Sequence, residues 1–84
     1  MNLMNLKYFV AVVESGSITQ AAQNLFTSPQ AVSEQIRRLE GAYDVKLFQR
    51  TPKLQLTYAG ERFHRFAREV IQGERELGVE LVEI

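Results

Sequence analysis

The chain is predicted to be mainly α-helical, built as a winged helix-turn-helix: three short helices and a two-stranded β wing, then one long dimerisation or linker helix. Three observations predict this. Two marked helix starts, Ser17 and Ser28, lie on either side of a turn of about three residues. A turn signal at Thr51-Pro52-Lys53 separates two short segments with buried-type residues. An apolar stripe then runs from Phe63 to Ile84 with no proline to interrupt it.

Taken in order, Leu6, Phe9, Val10 and Val13 recur at helical spacing and predict an amphipathic first helix that ends near Glu14-Ser15-Gly16. Gly16 suits the left-handed cap of such an end. Ser17 followed three residues later by Gln20 has the form of a capping box, and Ser28-Pro29 places a cap and a first-turn proline in consecutive positions. Ala21, Ala22 and Leu25 form one apolar stripe; Val32, Ile36 and Leu39 form another. Each helix therefore has one face for a core. The second, spanning residues 29–40, leaves Gln30, Ser33, Glu34, Arg37 and Arg38 outward, hydrogen-bonding groups followed by cations. Such a surface can read base edges in a major groove. A helical hairpin whose polar face is only solvated fits the same caps and stripes.

Gly41-Ala42-Tyr43-Asp44 breaks the helical pattern, and residues 46–57 read as a β-hairpin wing. Its strands are expected over Lys46–Arg50 and Leu54–Thr57, with Leu47, Phe48, Leu54 and Leu56 on the buried side. Arg50 and Lys53 fall at or near the tip, where cations reach phosphates or a minor groove. The alternative is a surface turn with two solvated cations.

Thr57 can cap the long helix and Glu61 suits its first turn. At 1.5 Å per residue the stretch from Tyr58 to Ile84 spans roughly 40 Å, more than the small domain ahead of it can cover. Phe63, Val70, Leu77 and Ile84 recur every seven residues, with Phe66, Ala67, Ile71 and Leu81 filling neighbouring positions, so that one stripe stays apolar for the full length. That stripe calls for a partner helix, in the simplest case a second copy related by two-fold symmetry. Gly73, Glu74 and Gly78 weaken the seam and favour antiparallel or mixed packing over a parallel zipper. Because the chain stops inside this pattern, a longer native protein is expected. The sequence divides into 1–57 and 58–84 on this reading.

At 84 residues with 45% hydrophobic and 24% charged content, the chain is one small globular domain. The absence of cysteine excludes disulfides, thiol nucleophiles and thiolate metal sites, and suits a reducing compartment. No leader-like N-terminus or membrane-length apolar run occurs, which predicts a cytoplasmic protein with no membrane partner. Net charge is zero, yet unevenly spread. Residues 28–68 hold eight cations against four anions, whereas residues 69–84 hold one cation against five. The basic middle can meet a duplex while the acidic tail points away.

Five ordered blocks then carry a family resemblance: Asn5-Leu6-Lys7-Tyr8-Phe9-Val10-Ala11-Val12; Gly16-Ser17-Ile18-Thr19-Gln20-Ala21-Ala22; Ala31-Val32-Ser33 with Gln35-Ile36 and Leu39-Glu40; Val45-Lys46-Leu47-Phe48 with Arg50; and Leu56-Thr57 with Ala59-Gly60. Together they resemble the N-terminal DNA-binding region of LysR-type transcriptional regulators over about residues 3–68. The resemblance implies a homodimer on an imperfect inverted repeat in promoter DNA, with a tetramer possible in the full-length protein. It further implies that a small-molecule inducer acts only through a C-terminal effector domain absent from this chain; no cofactor or metal is predicted.

Carried over by position, contacts to bases and phosphates fall on Ser28, Pro29, Gln30, Ser33, Glu34 and Arg37, and wing contacts on Arg50 and Lys53. Arg38 joins them from the outward face. The family usually has glutamine then proline where this chain has Pro29 then Gln30, which moves the amide by one residue, about 100° around the helix. It favours arginine at the position of Glu34, where a carboxylate repels phosphate or accepts from a cytosine amino group. Tyr58 replaces a common proline.

Glu61 and His64 form a single Glu-x-x-His, whereas di-metal bundles need a second pair and further carboxylates; His64 is expected on the helix surface. No glycine-flanked nucleophile or phosphate-cradling loop appears, so an enzyme is not predicted. A protein-only adaptor would tolerate charge reversal at Arg37, Arg38, Arg50 and Lys53, whereas a DNA reader would not.

Overall fold

The computed structural model describes residues 1–84 and has the order α1 (Leu3–Ser15), α2 (Ile18–Asn24), α3 (Pro29–Tyr43), β1 (Phe48–Gln49), β2 (Gln55–Leu56) and α4 (Tyr58–Val82). The winged helix-turn-helix plan and the long terminal helix are therefore present. A turn of four residues, Leu25–Ser28, links α2 to α3.

The helix starts follow the capping signals, with one adjustment. Ser17 Oγ accepts from the Gln20 amide at 3.1 Å, but the Gln20 side chain donates to Asn24 at 3.0 Å instead of closing the box. The reciprocal box occurs at α1, where Asn2 and Asn5 each accept the other's backbone N–H at 2.9 and 3.0 Å. Asn at the third helical position does the work that Glu or Gln usually does. Ser28 caps α3 through the Ala31 amide at 3.1 Å, and Thr57 caps α4 through the Gly60 amide at 3.0 Å.

All three short helices end in a left-handed residue, of which only one is glycine. Gly16 (φ +70°) closes α1 and donates to the Val12 carbonyl at 2.9 Å. Phe26 (φ +57°) follows α2 in a Schellman arrangement: its N–H meets the Gln23 carbonyl, and the Thr27 N–H meets that of Ala22. Asp44 (φ +52°) ends α3 three residues later than Gly41 suggested, because Gly41 and Ala42 remain helical. Aspartate tolerates that conformation better than most side chains.

Twelve residues form the core: Leu6, Phe9, Val10 and Val12 of α1, Ala21 and Ala22 of α2, Val32, Ile36 and Leu39 of α3, Leu47 and Phe48 of the wing, and Ala67 of α4. Phe9 stands at its centre, with ring centroids 5.2 Å from Phe48 and, edge-on, 5.1 Å from Phe63. Such geometry adds to simple area burial. Val12, not Val13, is the fully buried member of the α1 stripe. Asn5, also buried, donates its amide to the Gln35 side chain and ties α1 to α3.

The wing is shorter than its sequence pattern suggests. Only Phe48 opposite Leu56 and Gln49 opposite Gln55 pair. Leu47 and Phe48 are buried, Leu54 and Leu56 half-buried.

Helix α4 meets the core through a face repeating every three to four residues: Gly60, His64, Ala67 and Ile71. His64 is thus not a surface residue; its ring lies 6.4 Å from that of Phe9, and its Nε2 is enclosed without a hydrogen-bond partner. From Gln72 to the end every residue is exposed.

Gly60 is where α4 passes closest to the wing. A Cβ placed there would lie 2.0 Å from the Leu47 carbonyl oxygen and 2.9 Å from the Leu56 side chain. A backbone oxygen cannot swing aside, so Gly60→Ala is expected to lower unfolding stability by about 3 kcal/mol or more, above the usual range for overpacking because α4 must shift bodily. Urea denaturation followed by circular dichroism checks this; a loss under about 1 kcal/mol would show that α4 can slide without penalty.

Candidate nucleic-acid interface

Helix α3 divides cleanly around its circumference. Val32, Ile36 and Leu39 are buried on one side. At about 100° per residue, Gln30, Ser33, Glu34 and Arg37 gather on the opposite side, with Arg38 at its shoulder. Ser28, Pro29 and Gln30 of the first turn are exposed, as are Arg37 and Arg38, while Ser33 and Glu34 are half-exposed.

The side chains on this face are organised. Glu34 accepts from Arg37 Nη2 at 2.9 Å and from Arg38 Nε at 3.4 Å, so one carboxylate holds two guanidinium groups. The Arg37 hydrogen bond and charge, followed by the Arg38 hydrogen bond, keep the Glu34 carboxyl below its ordinary pKa. Arg50 Nη1 reaches Ser33 Oγ at 3.5 Å and joins the wing to α3. Lys53 stands exposed in the loop between the strands. Among the sequence-derived site residues, the structure thus brings together Glu34 with Arg37 and Arg38, and Ser33 with Arg50. Ser28 spends its hydroxyl on the helix cap.

A polar recess between α3 and the wing is lined by Glu40, Lys46, Phe48, Gln49, Arg50 and Thr57. Two of these, Glu40 and Thr57, hold the wing in place, a role that residue spacing assigns to neither. Glu40 Oε2 accepts from the Leu47 amide at 2.8 Å and the Phe48 amide at 3.4 Å. Thr57 Oγ1 donates to the Lys46 carbonyl at 2.6 Å, and its N–H donates to that of Leu47 at 3.0 Å. In the sequence Glu40 looks like one more helix-surface anion. Only its place after Leu39, directly before the helix-ending segment, hints at a cap for the backbone beyond.

The six residues assigned to dimerisation fall into two groups. Phe63, Phe66 and Val70 are half-buried, lying partly against the chain's own core, with Phe63 and Phe66 rings 5.8 Å apart. Leu77, Leu81 and Ile84 are exposed, Ile84 almost completely at 98%. The five that lie within α4 form a stripe about 100° around it from the Gly60–His64–Ala67–Ile71 face, and Ile84 follows just beyond the last helical turn. At its N-terminal end the stripe opens into an apolar groove whose walls include Tyr43, Val45, Leu47, Tyr58 and Arg62.

Architecture and outward face define a winged helix-turn-helix module with a projecting C-terminal helix. The chain belongs to the lysR family of bacterial regulatory helix-turn-helix proteins, whose model matches residues 3–61. It is 42% identical over 73 residues to the nitrogen assimilation regulatory protein nac of Klebsiella aerogenes, covering 86% of this chain and 24% of that protein. It is also 42% identical over 72 residues to the HTH-type transcriptional regulator TfdT of Cupriavidus pinatubonensis, covering 84% and 32%. The chain thus spans about a quarter to a third of the length of these relatives. Among solved structures, the DNA-binding domain of CbnR in complex with DNA superposes with a TM-score of 0.92 at 32% identity, covering 99% of this chain and 97% of that one. Full-length BenM superposes with a TM-score of 0.90 at 32% identity, covering all of this chain and 28% of that one.

Glu40→Ala removes the acceptor from two amides in the partly buried Leu47–Phe48 segment. Hydrogen bonds to a charged acceptor contribute about 1.5–3 kcal/mol, and a loss of about 2 kcal/mol in urea denaturation is expected. A change within about 0.5 kcal/mol, typical of a plain surface site, would mean that Glu40 is only solvated.

Proposed function

We propose that this chain is the DNA-reading portion of a bacterial transcriptional regulator, binding double-stranded promoter DNA as a homodimer and acting in the cytoplasm without catalysis. The observation that carries it is the continuity of the outward α3 face with the wing. Arg50 Nη1 lies 3.5 Å from Ser33 Oγ, so the outward side of α3 that carries Gln30, Ser33, Arg37 and Arg38 continues into the wing at Arg50, with Lys53 exposed in the wing's loop. An α-helix fits a major groove, and a wing beside it is placed for the neighbouring minor groove. The complex of the similar CbnR domain with DNA supports the same reading. Family membership among regulators supports the absence of catalysis, and no helix here is long and apolar enough to cross a membrane.

Roles divide by position. Gln30 and Ser33, short and near the helix start, read base edges; Arg37, Arg38, Arg50 and Lys53 meet phosphates. Ser28 and Pro29 fix the first turn against the backbone of the duplex. Residues 1–57 form the reader and residues 58–84 the linker, with the first half of α4 serving both.

The second copy packs on the α4 stripe. An antiparallel arrangement is favoured by charge: Arg62 lies in the basic half of the helix, Glu80 in the acidic half, and at about 100° per residue both flank the stripe on the same side. With the dyad near Ile71, Arg62 of each copy faces Glu80 of the other. The same register delivers Leu81 and Ile84 to the groove beside Tyr43, Val45 and Tyr58. Two readers then stand about one or more helical turns apart, roughly 34 Å each, and match an imperfect inverted repeat.

Titration against a panel of duplexes tests the reader. Gln30→Ala is expected to change preference at one base position, costing about 1–3 kcal/mol there, while Lys53→Ala weakens all sequences alike and lowers the salt slope by about 1. Equal, uniform losses from both variants would remove Gln30 from base readout. Leu77→Glu places a charge in the exposed stripe and is expected to sediment as a monomer. An unchanged dimer would take α4 out of the interface.

A further inference from the structure

We propose that Glu34 is a built-in competitor for phosphate: it withholds Arg37 and Arg38 from arbitrary DNA and releases them where a cytosine amino group takes up its carboxylate. The inference rests on the DNA reading above and adds to it a residue that sets specificity by opposition.

The geometry carries the first half. Glu34 sits at the middle of the outward α3 face, and its two carboxylate oxygens are divided between the two arginines, Oε2 to Arg37 and Oε1 to Arg38. The triad therefore presents a charge of +1 where two free guanidiniums would present +2. These pairs are exposed, and salt weakens each of them. The carboxylate is nevertheless tethered three and four residues from its partners, so it is always at hand, whereas a phosphate must arrive from solution. Any duplex that engages Arg37 and Arg38 first has to draw them from Glu34.

The chemistry of base edges carries the second half. An ionised carboxylate only accepts hydrogen bonds. In the major groove guanine offers acceptors at N7 and O6, thymine an acceptor at O4, and adenine an acceptor beside its amino group; cytosine offers an amino donor alone. When α3 enters a groove, Glu34 is therefore repelled by most base edges and satisfied by cytosine. At cytosine it exchanges the arginines for the amino group, and the arginines turn to phosphate.

Acidity does not operate this device. The arginines hold the Glu34 carboxyl below its ordinary value of 4.5, so the pairs are intact above that value and are lost only as pH falls through the lowered one. Near neutrality Glu34 is always charged, and DNA sequence is the variable that frees Arg37 and Arg38.

The test compares the 84-residue chain with Glu34→Gln, which keeps the length and helix propensity of the side chain. Binding is measured by fluorescence anisotropy on a cytosine-free dA·dT duplex and on duplexes selected from a random pool, between about 50 and 200 mM salt. Glu34→Gln is expected to bind the dA·dT duplex about tenfold tighter with a salt slope steeper by about 1–2, as one or two more phosphates are neutralised. Its preference for selected duplexes falls, and repeated selection with the variant loses a cytosine from each half-site. On a background of Arg37→Gln and Arg38→Gln, most of the dA·dT gain should vanish. Unchanged affinity and slope in Glu34→Gln would overturn the proposal while leaving the DNA reading intact. A gain that persists without the arginines would also overturn it, because Glu34 would then act by repelling phosphate directly. A wild-type chain that binds no duplex at all would remove the DNA reading itself.

Discussion

The backbone of Lys46–Phe48 is the point from which the rest of the molecule is hung. On one side the Glu40 carboxylate of α3 holds the Leu47 and Phe48 amides. On the other side Thr57, at the start of α4, bonds to the Lys46 and Leu47 carbonyls, and Gly60 lets the helix pass against Leu47 with no side chain between. Beneath, the Leu47 and Phe48 side chains sink into the core beside Phe9. Helix α3, the wing and helix α4 thus share three residues of chain. A two-residue ladder alone would be a weak wing, since isolated hairpins are marginal in water. Anchoring its base from two helices turns it into a rigid extension of α3, and Arg50 touching Ser33 is the visible result.

How much of this could be read from the amino acids depended on whether a position is fixed by chemistry or by partners. Helix starts were legible because Ser17, Ser28 and Thr57 each carry an oxygen that satisfies a local amide. Helix ends were legible only at Gly16. Phe26 and Asp44 adopt the same left-handed backbone without being glycine, because Schellman-type bonds from Thr27 and Val45 fix it from the residues beyond. Phe26 is left 97% exposed at the tip of the turn, a conformation that local pattern would not assign to an aromatic residue.

The candidate interface was legible as a list but not as an arrangement. Outward residues of α3 follow from its apolar period, so Gln30, Ser33, Glu34, Arg37 and Arg38 could be named from spacing alone. Nothing in spacing says that Glu34 occupies both arginines, since i to i+3 and i to i+4 pairs are equally available and only rotamers decide. The role of Glu40 has no local signature, because its partners are backbone amides seven and eight residues away, beyond a helix end that lies past Gly41 at Asp44. His64 is assigned to the helix surface by a pattern that shows a single apolar stripe, whereas its ring lies beside Phe9. The helix has two apolar faces: the small residues Gly60 and Ala67 admit it to its own core, and the stripe beside them runs from Phe63, Phe66 and Val70, half-buried against that core, to the exposed Leu77 and Leu81.

That division gives the long helix its meaning. Its first half is part of the folded unit, and its second half, from Gln72 onward, carries Leu77, Leu81 and Ile84 into solvent. Whatever covers them is geometrically coupled to α3 through the shared Lys46–Phe48 segment, so the spacing between two readers would be set by helix packing and not by a flexible tether.

Native-state amide hydrogen exchange tests this coupling most directly. The account predicts that the amides of Leu47 and Thr57 exchange with the same opening free energy as those of Ile36 and Leu39 in the buried stripe of α3, because one event must release them all. Exchange at Leu47 and Thr57 as fast as at Thr51 and Lys53, with Ile36 and Leu39 still protected, would contradict it: the wing would then move independently of the recognition helix.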